Sequence, residues 1–200
     1  MRWLVPVVSL TLFAQPPPAA TRVTAYNSTY ATAPGGKTGF FENRQPADLV
    51  LSSFGFNKSG GGLLFHHPRN LAGDGQRLLL ADSNNNRVLV WLSPPAENAA
   101  PSLVLGQPDL DSNHPGNALA NMNWPGQITV APDGRVVIAD SYNDRLLIWN
   151  AFPTENGQPA DIALRTPSLR WPWGVWTDGE RLVATSTGGR AILFWNKFPE

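Results

Sequence analysis

The side chains here with the most capacity for chemistry are three histidines, His66, His67 and His114, and a run of oxygen donors at Asp109, Asp111 and Asn113. Alternating oxygens of this kind open a calcium loop, but no glycine or closing glutamate stands where such a loop needs one. His66 and His67 are adjacent, so on a strand they point to opposite faces, and no His-x-His or His-x-x-x-His pair exists to grip a metal from one side. The chain has no cysteine, which excludes disulfides, thiol catalysis and cysteine metal sites. It also has no Ser-centred elbow, phosphate loop or pair of catalytic carboxylates. These spacings single out no catalytic residue, no metal set and no cofactor.

A second kind of pair recurs. Asp82 precedes Arg87 by the same interval that separates Asp140 from Arg145, and Arg190 stands at the matching place further on, with Thr185 where the acid would be. A carboxylate facing a guanidinium across a hairpin can form a charge-assisted pair and also bind the loop backbone. Catalytic groups are needed once and scaffolding in every unit, so the repetition favours a structural clip over an active site.

The elements that would hold these groups are repeats. One unit runs from Pro68 to Leu105 and a second from Pro125 to Leu164; a third starts at Pro172 and reaches Trp195. Each complete unit holds four short apolar runs, for example Leu78–Ala81 and Arg87–Trp91, of strand rather than helix length. Asp74-Gly75, Asp133-Gly134 and Asp178-Gly179 join the first two runs, where a tight turn needs the positive φ that glycine accepts. The next turn places Asn85, Asn143 and Gly188 where left-handed backbone is expected. The 19 prolines and 18 glycines punctuate the runs evenly. The expected class is all-β, each unit a four-stranded antiparallel sheet.

This pattern resembles the NHL-repeat family of β-propellers, whose Ala-Asp-x-x-x-x-Arg signature ending in an aromatic matches Ala81–Trp91 and Ala139–Trp149 and, more loosely, Ala184–Trp195. The segment Val104–Leu110 is similar to a connection common in exported bacterial members. The resemblance implies blades at 68–105, 125–164 and 172–196, the last lacking its outer strand, with c-like and d-like strands of a split blade at 22–51. That amounts to about half of a six-bladed ring. A half-ring exposes apolar blade faces, so the expectation is a truncated or partial sequence, or self-association of two halves. Relatives also imply an alternative, a fragment of a metal-dependent lyase or lactonase-type hydrolase, and with it a divalent metal in the central channel stays open.

Residues 1–20 read as a signal peptide and Pro-rich junction. Arg2 is followed by an apolar run from Trp3 to Ala14 and then Gln15 to Ala20, too short for a comfortable membrane span. The expected location is therefore the periplasm or the outside of the cell, with no stable membrane span after cleavage. Fifteen basic residues balance fifteen acidic ones with no block of one sign, so no nucleic-acid partner is expected.

Recognition residues collect on long loops of a rigid scaffold. In Ser52–His67 and Gly106–Trp124 these are His66, Asp109, Asp111, Asn113, His114, Asn117 and Asn121. His67, Trp124 and Trp171 are equivalent by repeat, each directly before the Pro that opens an inner strand. In a propeller they fall near the channel mouth, where flat side chains can stack on a carbohydrate, a peptide or another planar group, or simply pack blade to blade. The function expected is a binding or protein-interaction scaffold whose ligand is unknown.

Overall fold

A computed structural model of the chain describes residues 49–52 and 61–199, which belong to one compact unit. The described residues form eleven strands: β1 (Pro68–Gly73), β2 (Leu78–Asp82), β3 (Arg87–Trp91), β4 (Leu103–Leu105), β5 (Pro125–Val130), β6 (Val136–Asp140), β7 (Arg145–Trp149), β8 (Ile162–Leu164), β9 (Pro172–Thr177), β10 (Leu182–Ser186) and β11 (Ala191–Trp195). Among the described residues the only helical pieces are two 3-10 turns, Ser83–Asn85 and Ser141–Asn143. No described helix is long and apolar enough to cross a membrane.

Within each sheet, every strand pairs antiparallel with the next in sequence. This gives two four-stranded blades, β1-β2-β3-β4 and β5-β6-β7-β8, and a three-stranded blade of β9, β10 and β11. The inner strands β1, β5 and β9 lie side by side, so the blades stand face to face about a common inner edge, the arrangement of a β-propeller. The Asp-Gly pairs form the inner hairpins, with Gly75, Gly134 and Gly179 at φ of 86°, 88° and 94°. Each aspartate accepts hydrogen bonds from backbone amides that follow it and pairs with Arg77, Arg135 or Arg181 just beyond the glycine.

Alternation along the strands decides which blade each side chain meets. Leu79, Ala81, Val88 and Val90 of the first blade meet Val136, Ile138, Leu147 and Trp149 of the second in one core. From the other face of the second blade, Val137, Ala139, Leu146 and Ile148 meet Val175, Leu182 and Ala184 of the third. The middle strands of the second blade are covered on both sides, which is why residues 136–139 of β6 and 146–149 of β7 are apolar without a break. Complete burial of one such side chain stabilises the fold by about 1.5–3 kcal/mol. Trp149 ends β7 inside the first of these cores, while Trp91 ends β3 in a separate cluster with Leu80, Leu89 and Val104; their indoles donate to Gln158 O and Ala99 O.

The third blade departs from this plan. Trp176, Val183 and Phe194 form one cross-strand row on the face pointing away from the second blade, with Thr185 and Ile192 beside it. Trp176 is 51% exposed, and Phe194 and Ile192 are 69% and 61% exposed, whereas Val90 and Val88, or Ile148 and Leu146, at the places equivalent to Phe194 and Ile192 in β3 and β7 are fully buried.

Register also corrects the sequence alignment. Asp82 pairs with Arg87 and Asp140 with Arg145, but their counterpart in the third blade is Ser186 opposite Ala191. Arg190 is thus not a clip residue. It is exposed and takes the left-handed turn position (φ 52°) that Asn86 and Asp144 hold in the other blades, each at φ 53°. Asn85, Asn143 and Gly188, expected there, lie earlier in the turn. The asparagines instead lie in the 3-10 turns and donate to the clip carboxylates. Of the strands expected at 22–51, all but Leu49–Leu51 fall outside the described residues, and those three are irregular rather than strand.

Candidate binding site at the inner ends of the blades

His67, Trp124 and Trp171 immediately precede the prolines opening β1, β5 and β9, and all three adopt left-handed backbone, with φ of 62°, 57° and 48°. Such a conformation is costly for a bulky residue, so something must hold it. The previous blade supplies the hold. Asn86 Oδ1 accepts the Trp124 amide at 2.9 Å and Asp144 Oδ1 accepts the Trp171 amide at 2.6 Å. Close by, Ser83 Oγ donates to Pro125 O and Ser141 Oγ to Pro172 O, each at 2.6 Å. Asn70 Oδ1 and Gln127 Oε1 accept the amides of Ile128 and Val175 in the next inner strand.

The rings so held converge. His67 meets Trp124 edge-on at 6.0 Å, Trp124 stacks on Tyr142 at 4.7 Å, and Trp171 lies 6.2 Å from Tyr142 and 5.8 Å from Trp173. Arg69 from the first blade reaches across the second, its guanidinium carbon 4.1 Å from the ring centres of both Trp124 and Trp173. Its Nη2 donates to His67 Nε2 at 3.0 Å, which assigns His67 Nε2 as the acceptor nitrogen. One face of Trp124 is thus covered by Tyr142 and the other by Arg69, and its indole N–H donates to Asn84 Oδ1 at 2.6 Å. Trp124 packs; it does not offer a stacking face. Trp171 and Tyr142, 39% and 55% exposed, do.

The remaining sequence candidates lie apart from this cluster. The Ser112 side chain, with the amides of Ser112 and Asp111, holds the Asp109 carboxyl below the ordinary carboxylate range. Asn113 and His114 use their carbonyls, accepting from Asn86 Nδ2 and Gln107 Nε2, and leave their side chains exposed. Asp111, Asn113 and His66 line a separate cavity of about 310 Å³ with Asn85, Arg87 and Phe65. Among the described residues no group of three or more His, Cys, Asp or Glu gathers as a metal site would require.

The clips are buried and fully engaged. Arg87 Nε reaches Asp82 Oδ2 at 2.8 Å and Arg145 Nε reaches Asp140 Oδ2 at 2.7 Å, with 2% or less of each side chain exposed. The rest of each guanidinium binds carbonyls of the loops: Gly61, Leu64 and Leu110 for Arg87, and Asn117, Ala118 and Asn121 for Arg145. Burial pushes the Asp140 carboxyl up, against the Asn123 amide, Asn143 and Arg145, which pull it down. Gln107 of the Val104–Leu110 segment is buried and donates to Asn86 O and His114 O, so this connection braces the turn that positions Trp124.

Sequence reasoning missed Arg69, Tyr142 and Trp173. The signal was available at one place: the residue after the opening proline is Arg69, Gly126 and Trp173 in the three units, a position that does not repeat.

Fold and site together define a β-propeller whose blades place an aromatic and cationic cluster at their shared inner ends. No protein-family model matches the chain, and no curated protein matches it. Solved structures to which it is similar include the PQQ-bound aldose sugar dehydrogenase of Streptomyces coelicolor, at 18% identity and a TM-score of 0.41, covering 62% of this chain and 39% of that one. Virginiamycin B lyase of Staphylococcus aureus matches at 13% identity and a TM-score of 0.37, over 84% of this chain and 48% of that one. A catalytically inactive form of that lyase with quinupristin matches at 12% identity and a TM-score of 0.37, covering 72% and 44%. The chain spans less than half the length of each.

Proposed function

We propose that this chain is part of an exported propeller of the NHL-repeat kind that serves as a binding scaffold, its ligand a carbohydrate, peptide or other planar group stacking on Trp171 and Tyr142. The observation that carries the reading is convergence: His67 and Arg69, Trp124 and Tyr142, and Trp171 and Trp173 come from three successive blades to one cluster, and rings such as Trp171 and Tyr142 stay exposed. Rigid aromatic faces on a fixed scaffold bind at low entropic cost. The NHL assignment draws on the repeated Ala-Asp to Arg-to-Trp unit, and export on Arg2 and the apolar run to Ala14.

The test is a panel of glycans and peptides titrated against the purified protein, followed by tryptophan fluorescence. A ligand is expected whose binding Trp171→Ala weakens at least about tenfold while the circular dichroism spectrum stays unchanged. If Trp171→Ala and Tyr142→Ala bind every ligand found as well as the parent protein does, the scaffold is not using this cluster.

A further inference from the structure

Arg69 is chemically out of place in its surroundings. Arg77, Arg87, Arg135, Arg145, Arg170 and Arg181 each lie within 3.4 Å of an aspartate oxygen; Arg69 pairs with none among the described residues. Its Nε is buried and has no hydrogen-bond partner, and its single hydrogen bond in the described structure goes to the neutral acceptor His67 Nε2. A partly buried cation without a counter-charge is costly to the fold. Scaffolding does not explain it either, because the equivalent residues, Gly126 and Trp173, show that the blades close without an arginine there.

Resting on the binding role proposed above, we propose that Arg69 is the anion-recognition residue of the cluster and that its ligand is a carboxylate-bearing sugar of the uronic-acid type. Two indole rings hold the guanidinium in place, leaving Nη1 and the second Nη2 hydrogen as donors for the two oxygens of a planar carboxylate. One guanidinium offsets the single charge of a carboxylate. The exposed rings of Trp171 and Tyr142 adjoin the same cluster and accept the apolar C–H face of a pyranose, so charge and ring are read side by side.

The experiment is calorimetric titration of the purified protein with a galacturonic acid trisaccharide and with the matching neutral galactose trisaccharide. The acidic sugar is expected to bind about tenfold or more tightly, with a preference that shrinks as salt is raised. Arg69→Gln should remove the preference and leave the weaker neutral binding; Arg69→Lys, which keeps the charge, should retain part of it and serves as the folding control. Equal affinity for both sugars, an unchanged preference in Arg69→Gln, or no binding of the acidic sugar overturns the inference. Equal binding that is lost in Trp171→Ala would overturn the charge recognition alone and leave the stacking role standing.

Discussion

Asp140→Ala tests whether the buried clip is structural. The substitution removes the acceptor for the Asn123 amide at 2.7 Å, Asn143 Nδ2 at 2.8 Å and Arg145 Nε at 2.7 Å. Arg145 keeps its three carbonyls but becomes a buried cation with no compensating charge. Breaking one side of such a pair costs about 3–5 kcal/mol, which for a domain of this size lowers Tm by about 6–20 °C. Equilibrium urea unfolding followed by tryptophan fluorescence measures the loss directly. The double variant Asp140→Ala with Arg145→Met removes the stranded charge, so it should lose at least about 1 kcal/mol less than the two single changes added together. Asp82→Ala should behave as Asp140→Ala does, because Asp82 makes the same bonds to Asn85, Arg87 and the His66 amide. A loss under about 1 kcal/mol for Asp140→Ala, or a double variant no milder than the sum, would refute the reasoning.

Glycines at similar φ should respond differently to alanine. Gly106 (φ 87°) has Asn86 O 2.9 Å from where a Cβ would sit, whereas Gly75 (φ 86°) has nothing within 4 Å, so Gly106→Ala should cost at least about 2 kcal/mol and Gly75→Ala about 1 kcal/mol in the same unfolding assay. Asp178, lowered from 3.8 to about 2 by the Arg181 amide and then its guanidinium, contributes stability that is complete above its unfolded value and is lost as pH falls from 3.8 through about 2. Asp74 and Asp133 are lowered as well and act in the same sense, while Asp140, raised by burial, acts in the opposite one. Tm measured from pH 5 down to pH 2 should therefore fall less steeply in Asp178→Asn than in the parent, and equal slopes would contradict the assignment. Phe194→Ser should reduce binding of a hydrophobic dye while leaving stability within about 0.5 kcal/mol, whereas Val90→Ser, at the equivalent but covered position, should be severely destabilising. The reverse order would show that the outer face of the third blade is covered.

The blades were legible because their punctuation is local. An Asp-Gly pair and an Asp-to-Arg interval dictate hairpins that need no distant partner. The third unit was misaligned by one residue for an equally physical reason: Ser186 accepts the Arg170 amide, the task Asp82 and Asp140 perform elsewhere. A search for a carboxylate therefore passes over it and settles on Arg190. The site was half legible. Repeat equivalence brought His67, Trp124 and Trp171 together, but it could not show that Trp124 is enclosed by Tyr142 and Arg69. That depends on how far a side chain of the first blade reaches over Gly126, where a Cβ would already meet Ser141 Oγ at 2.8 Å and Trp173 O at 3.0 Å.

At the inner edge the bonds between blades have a direction. In the six bonds that seat the inner strands β5 and β9, the side-chain group belongs to the earlier blade, Asn70, Ser83 and Asn86 or Gln127, Ser141 and Asp144, and the atom it meets is main chain of the later one. A ribosome or a translocation pore delivers the earlier blade first, so each docking surface is complete before the strand it receives emerges. The array can then assemble as a ratchet in the order of synthesis, each finished blade serving as template for the next.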